Sequence, residues 1–178
     1  MVTVSLLVYA GAKSYSLKGK LLAKKDFDAL AESRDLYELV TRLKNTAYNE
    51  VISKVQKPYT TQKIELALRD RQEDMHYKML QASGGSTLLF AYYTKFILRN
   101  LKMILKGKIL GRTQEEIDAA LSLHAEELIK ERDIVLKALV AKDLGEAVST
   151  LKNIGLGGEV EKAYSLYNEK KQIHALDM

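Results

Sequence analysis

Residues 61–106 read TQKIELALRDRQEDMHYKMLQASGGSTLLFAYYTKFILRNLKMILK, and this stretch decides the fold class. Its first part carries apolar residues at the spacing of one helical face: Ile64, Leu68, Met75 and Met79. The cluster Ser83–Ser86 interrupts this pattern, because glycine and serine favour turns. A second run, 86–106, is apolar almost all round, which is typical of a central helix. We therefore expect two long helices, the first capped by Thr61, and pairing of such helices as antiparallel hairpins.

Helix start and stop signals continue on both sides of this stretch. Three pairs have the spacing of a capping box, in which two side chains satisfy free backbone amides at a helix start. They are Asp35 with Glu38, Thr113 with Glu116, and Asp143 with Glu146. Pro58 predicts a break before Thr61, and Gly107 predicts the end of the second long helix. A further helix is expected over 125–140 and a last one over 159–170.

These signals predict an all-α protein with about eight to ten helices and no β-sheet. No stretch shows the alternation of apolar and polar residues that marks a half-buried strand. The composition agrees, since 178 residues contain one proline and 10 glycines. A chain of this length can bury a substantial core without cross-links.

Composition also excludes several kinds of chemistry. The chain has no cysteine, which removes disulfides, thiol nucleophiles, zinc–cysteine sites and iron–sulfur clusters. Its net charge is +5, from 28 basic and 23 acidic residues spread along the chain, so a nucleic-acid partner is not expected. The uncharged stretches 1–12 and 82–94 are shorter than a membrane span requires. We expect a cytoplasmic protein that meets a membrane only through a partner.

Two groups of basic residues could form patches, but solvated helix faces explain them as well. The first group consists of Lys13, Lys18, Lys20, Lys24 and Lys25. The second consists of Lys102, Lys106, Lys108 and Arg112.

Two glycine-containing segments resemble nucleotide-binding loops only superficially. Residues 107–113 (GKILGRT) have one residue too few between the glycines and arginine in place of the required lysine, and they follow a helix instead of a strand. Residues 155–158 (GLGG) also lack a preceding strand. We interpret both segments as turns between helices, and we expect the chain neither to bind nor to hydrolyse ATP.

Glu73 and His76 form a Glu-x-x-His pair, which binds iron in some four-helix proteins. Such a site needs a second copy of the pair and two more inward-facing glutamates. The other histidines, His124 and His174, have Leu121 and Lys171 three residues earlier, so no second copy exists. We expect no metal site and no cofactor.

A short segment is repeated 108 positions later in the chain. Seven of eleven aligned positions are identical, and both copies combine a capping box with an apolar stripe. The first copy contributes Asp35, Leu36, Glu38, Val40, Leu43, Lys44 and Asn45, and the second contributes Asp143, Leu144, Glu146, Val148, Leu151, Lys152 and Asn153. Helix-start chemistry alone could produce some of these matches, but the shared Leu-Lys-Asn ending favours a duplicated unit.

Several short motifs resemble one known family. They are Tyr9–Lys13 (YAGAK), Gly19–Leu22 (GKLL), Leu43–Tyr48 (LKNTAY), Phe96–Lys102 (FILRNLK), Ile104–Lys108 (ILKGK) and Gly111–Ile117 (GRTQEEI). Together they resemble the C subunit of archaeal and bacterial A/V-type ATPases, the equivalent of the d subunit of eukaryotic V-ATPases. Asn100 and Lys102 match the family's Asn-Leu-Lys motif, whereas Ile97 stands where the family usually carries an acidic residue.

The resemblance implies a funnel of three related all-helical units. This chain is long enough for one unit, 1–116, and a partial second, 117–178, packed together without a clear linker. The partial unit would need cover for its apolar residues Leu144, Val148, Leu151 and Leu156. Folding back and self-association of the chain are both open at this point.

The resemblance also implies a function without catalysis. Family members join the rotor shaft to the membrane ring of proteolipid subunits and couple rotation to proton or sodium transport, in the direction of ATP synthesis or hydrolysis. No catalytic, cofactor or metal residues are expected, and the residues that contact the shaft or the ring are unknown. The alternative is a soluble helical scaffold or adaptor unrelated to ATPases.

Overall fold

A computed structural model describes residues 4–153 and 155–177. This part of the chain forms eleven α-helices and one 3-10 helix, and it contains no strand. The helices are α1 (Val4–Lys18), α2 (Lys24–Ala31), α3 (Leu36–Lys44), α4 (Asn49–Ile52), α5 (Thr61–Ala82), α6 (Thr87–Ile109), α7 (Gln114–Asp118), α8 (His124–Leu128), α9 (Arg132–Val140), α10 (Leu144–Leu151), α11 (Gly157–Lys170) and η1, the 3-10 helix (Ile173–Asp177). The all-α prediction is confirmed.

The helix expected over 125–140 is two helices, and this division raises the count above eight to ten. Lys130, between α8 and α9, has a φ of 64°, which no α-helix accommodates. The sequence around Lys130 carries no glycine or proline, so nothing in it marked the break.

The chain forms two compact units, one up to Tyr93 and one from Thr94. The predicted repeat boundary at residues 116 and 117 lies within the second unit. A repeat is defined by duplicated sequence and a compact unit by its contacts, so these are different divisions. The division into repeat units stays a prediction, as does the arrangement of hairpins within them.

In unit 1, helices α3, α4 and α5 enclose a small apolar core. Its buried members are Val40, Leu43, Ile52 and Ile64. Helix α1 packs along α5, and the Leu6 side chain lies against Gly84, whose φ of 69° favours glycine. Tyr77 and Tyr93 bring α5 beside the start of α6, with ring centroids 6.0 Å apart.

In unit 2, the second half of α6 lies at the centre of a larger apolar core. Its contribution is Ile97, Leu101, Ile104 and Leu105, each at most 3% exposed. Residues of α7, α9, α10 and α11 pack around them: Ile117, Val135, Ala138, Leu139, Ala147, Val148, Leu151, Val160 and Ala163. The expectation of a central helix therefore holds for this half, whereas Leu88 near the other end is 78% exposed.

Two predicted helix ends are shifted. Gly107 does not end α6; it lies inside the helix, where a Cβ would stand 2.6 Å from Ile117 Cγ1. The helix ends at Ile109, and Gly111 with a φ of 65° makes the turn that follows. The cap of α5 is Thr60, one residue before the predicted Thr61.

The two repeated helix starts have the same geometry. Asp35 Oδ1 accepts a hydrogen bond from the amide of Glu38 at 2.8 Å, and the Glu38 carboxylate accepts one from the amide of Arg34. The same two bonds occur 108 positions later: Asp143 Oδ1 accepts from the amide of Glu146, and the Glu146 carboxylate accepts from the amide of Lys142. The predicted caps are correct, but the reciprocal bond reaches the residue before the cap. Thr113 and Glu116 form the full capping box.

Candidate functional site

An elongated apolar groove lies along α5 in unit 1. Its larger part has a volume of about 540 Å³ and is bounded by α2, α3 and α5. A hollow of about 330 Å³ beside α1 shares Leu21, Met75 and His76 with it. We call the two together the α5 groove. Met75 and Met79, which the sequence assigns to a core stripe, line this groove.

The α5 groove is apolar at its base and cationic along one side. Ile64, a buried core residue, lies at the base, and the mouth is formed by Leu21 and Phe27, which are 53% and 59% exposed. The basic residues that line its larger part are Arg69, Arg71 and His76, and none of the described lining residues is aspartate or glutamate. The groove therefore combines an apolar surface with positive charge.

Arg71 lines this groove and is held by an aromatic contact. Its guanidinium carbon lies 4.9 Å from the centroid of the Tyr48 ring. Its Nε–H is buried and has no acceptor among the described residues. The Nε–H is therefore enclosed by the protein, and only the rest of the guanidinium can face the groove.

Helix α1 offers a second surface. Val4, Leu7, Val8 and Tyr15 are 78%, 59%, 67% and 77% exposed, and they follow the spacing of one helical face. Its other side packs on α5. An apolar face of this kind on a helix that is already packed on one side is typical of a contact surface.

The Asn-Leu-Lys motif has a structural role in unit 2. The Nδ2 group of the buried Asn100 donates to the carbonyl of Ser122 and to both Glu126 carboxylate oxygens, at 2.9 and 3.1 Å. Leu101 is a core residue, and Lys102 Nζ donates to the carbonyl of Asp177 at 2.9 Å. The motif thus ties α6 to the α8 region and to η1.

The second basic group is only partly a surface patch. Lys106 Nζ pairs with the Asp177 carboxylate at 2.6 Å, and this hydrogen bond lowers the pKa of Asp177. Lys108 Nζ donates to the carbonyls of Leu139 and Ala141 at the end of α9, and burial lowers its pKa. Arg112 is exposed. In the first group, four of the five lysines are exposed, and Lys13 is half-buried.

The other sequence candidates do not converge on one site. Glu73 is fully buried, whereas His76 is half-buried, stacks on Tyr92 at 5.3 Å and bonds through Nδ1 to the carbonyl of Gln72. Among residues 4–153 and 155–177, no group of three or more histidine, aspartate and glutamate side chains has the geometry of a metal site. The segment 107–113 is the end of α6 and the cap of α7.

Sequence reasoning missed the α5 groove and Glu126. Glu126 is fully buried, while its neighbour Glu127 is exposed, and nothing in the local sequence separates the two. No described helix is both long and apolar enough to span a bilayer.

Comparison with known proteins identifies the family. The sequence model of the ATP synthase (C/AC39) subunit family matches residues 10–178. The C subunit of the A-type ATP synthase of Desulfurococcus sp. (strain SY) is 29% identical over 106 residues, which cover 57% of this chain and 28% of the relative. That of Methanocaldococcus jannaschii is 28% identical over 127 residues, which cover 68% of this chain and 31% of the relative.

The matched stretch thus spans about a third or less of each relative's length. No solved structure matches this chain significantly. The family model nevertheless covers nearly the whole chain, from residue 10 to its last residue, and the motifs around Asn100 lie inside the match. The chain belongs to the ATP synthase (C/AC39) subunit family.

Proposed function

We propose that this protein is a non-catalytic adaptor in the central stalk of a rotary A-type ATPase or ATP synthase. In this role it joins the rotor shaft to the membrane ring of proteolipid subunits and couples rotation to proton or sodium transport. It acts at the cytoplasmic face of the membrane, which it reaches through the complex. The observation that carries this proposal is the family match over residues 10–178.

The chemistry of the described residues supports an adaptor role. The polar groups of unit 2 hold structural elements together: Asn100 binds Glu126, and Lys106 binds Asp177. Transmitting torque requires a body whose helices are fixed to one another, and such internal ties provide that stiffness.

The exposed face of α1 supports a contact with another subunit. Val4, Val8, Gly11 and Tyr15 follow the alternating spacing of four and three residues that marks a coiled-coil seam. A Cβ at Gly11 would meet no atom within 4 Å, so a partner helix can approach closely there. We therefore assign α1 to the binding of a helix from a neighbouring stalk subunit.

The test is a binding measurement with purified shaft subunits and purified proteolipid ring from the same organism. We expect the chain to bind both. Val8→Glu places a charge on the exposed face of α1 and should weaken binding to one of them at least about tenfold, the loss that burying an unpaired charge produces. Val140→Glu is the matched control, because Val140 is 57% exposed at the end of α9. Binding to neither partner would refute the proposal, and equal effects of the two variants would refute the role of α1.

A further inference from the structure

The α5 groove has the size and shape of a ligand site. Its larger part, about 540 Å³, lies within the range of roughly 300–1,000 Å³ that is typical of small-molecule pockets. The hollow beside α1 extends it along the helix. Ile64 and Met79 mark the two ends on α5, about 22 Å apart at a rise of 1.5 Å per residue. A long apolar molecule fits such a groove.

The charges of the groove select the ligand's polar end. Arg69 and Arg71 line it together with His76, and no described carboxylate does. Lys18 lines the adjoining hollow. The carboxylate of Glu65 lies 3.8 Å from Arg69, but Glu65 does not line the groove, so the charge of the described lining stays positive. An anionic group is therefore complementary to this side of the groove.

Arg71 fixes where that anionic group would lie. Its guanidinium is held over the Tyr48 ring, whereas the guanidinium of Arg69 is already paired with Glu65. A carboxylate can accept hydrogen bonds from both Nη groups of one arginine at the same time. Beside the apolar lining of the groove, such a charged hydrogen bond is stronger than it is in water.

We propose that the α5 groove binds a single-chain anionic amphiphile, with its acyl chain along α5 and its carboxylate on Arg71. The occupant is a fatty-acid-type molecule, since one small anionic head and one apolar chain match one guanidinium that is held in place and one elongated apolar groove. Binding is reversible and involves no covalent step. This site is independent of the proposed adaptor function and of the exposed face of α1.

A series of head groups on the unmodified full chain tests this assignment. Decanoate, decanamide and decyltrimethylammonium share one chain length and differ in charge, and all are used below their micelle concentrations in isothermal titration calorimetry. We expect decanoate to bind at least about tenfold more tightly than the other two, as the loss of a charged hydrogen bond predicts. Acetate, which lacks the chain, should not bind. Equal affinities for the three probes would overturn the proposal. So would the absence of binding by all three, which is the result expected if the groove binds a helix of a partner protein instead.

Variants locate the site. Arg71→Gln should weaken decanoate binding about tenfold or more and leave decanamide binding unchanged. Arg34→Gln is the control, because Arg34 is exposed and lies outside the groove, and it makes the same change in net charge. Phe27→Ala, at the exposed mouth, should weaken binding of decanoate and decanamide alike. Circular dichroism verifies the fold of each variant. Decanoate binding that is unchanged in Arg71→Gln would contradict the site.

Discussion

At the scale of single residues, Asn100 shows why a family motif need not mark a contact surface. Its side-chain amide is buried and donates to a carboxylate and a backbone carbonyl in the same unit. The adjacent motif residue Leu101 belongs to the core. Both therefore act on the stability of unit 2.

Replacing Asn100 should accordingly destabilise the protein. Asn100→Ala removes the donor that Ser122 and Glu126 share, and should lower the free energy of unfolding by about 2–3 kcal/mol. Asn100→Asp should cost more, because it places a second carboxylate beside Glu126. Urea unfolding gives both values, with Asn168→Ala on the exposed side of α11 as the control. A loss no larger than that of the control would show that the buried pair contributes nothing.

Glycine-to-alanine changes inside helices usually stabilise a protein, but we expect the reverse at Gly107. A Cβ at this position would stand 2.6 Å from Ile117 Cγ1, so Gly107→Ala should destabilise by about 1–3 kcal/mol, the range found for overpacked cores. Gly11→Ala in α1 meets nothing within 4 Å and should stabilise by about 0.5–1 kcal/mol. Thermal unfolding compares the two. Combining Gly107→Ala with Ile117→Ala should recover part of the loss due to the clash; stabilisation by Gly107→Ala alone would contradict the close packing.

At the scale of elements, the two repeated helix starts should contribute equally to the free energy of unfolding. Asp35 and Asp143 have the same extended backbone and accept the same amide bond. Asp35→Ala and Asp143→Ala should each lower stability by about 1 kcal/mol. Asp28→Ala, at an exposed position inside α2, is the control and should change stability by less than about 0.5 kcal/mol. Urea unfolding measures all three, and a clear inequality between the two caps would argue against equivalent roles.

The attachment of η1 to α6 should depend on pH. The hydrogen bond from Lys106 holds the pKa of Asp177 below its ordinary value of 3.8. A carboxylate with a lowered pKa stabilises the folded state above its unfolded pKa, and this contribution is lost as the pH falls through the folded pKa. Carbon-detected NMR titration of Asp177 should therefore give a pKa under 3.8, which Lys106→Gln moves upward. A native pKa at or above 3.8 would contradict the ion pair.

The start signals of the helices could be predicted from sequence because they act over three or four residues. Thr113 with Glu116, and the caps Asp35 and Asp143, are of this kind. The end of α6 could not be placed, because the local sequence does not show that Gly107 lies inside the helix, where the distant Ile117 occupies the space beside it. The α5 groove needs side chains from α1, α2, α3 and α5, and its empty space has no local signal at all.

At the scale of the whole molecule, the final helices do not leave the expected apolar face uncovered. Val148 and Leu151 are buried in the core of unit 2, and Leu144 and Leu156 pack against it. An exposed apolar face in residues 117–178 was the reason to expect dimers through this segment, and the described residues show no such face at these four positions. Self-association stays a prediction, and analytical ultracentrifugation over a range of concentrations tests it: dimers that survive Val8→Glu would exclude the face of α1 as their contact.

In the proposed role, this protein connects a rotor shaft to a proteolipid ring. The most direct measurement is a bridging assay, in which immobilised ring is incubated with labelled shaft subunits in the presence and absence of the chain. We predict that the ring retains the shaft only when the chain is added, in proportion to the amount of chain bound. Shaft retention that does not depend on the chain, or a chain that binds the ring and retains no shaft, would contradict the account.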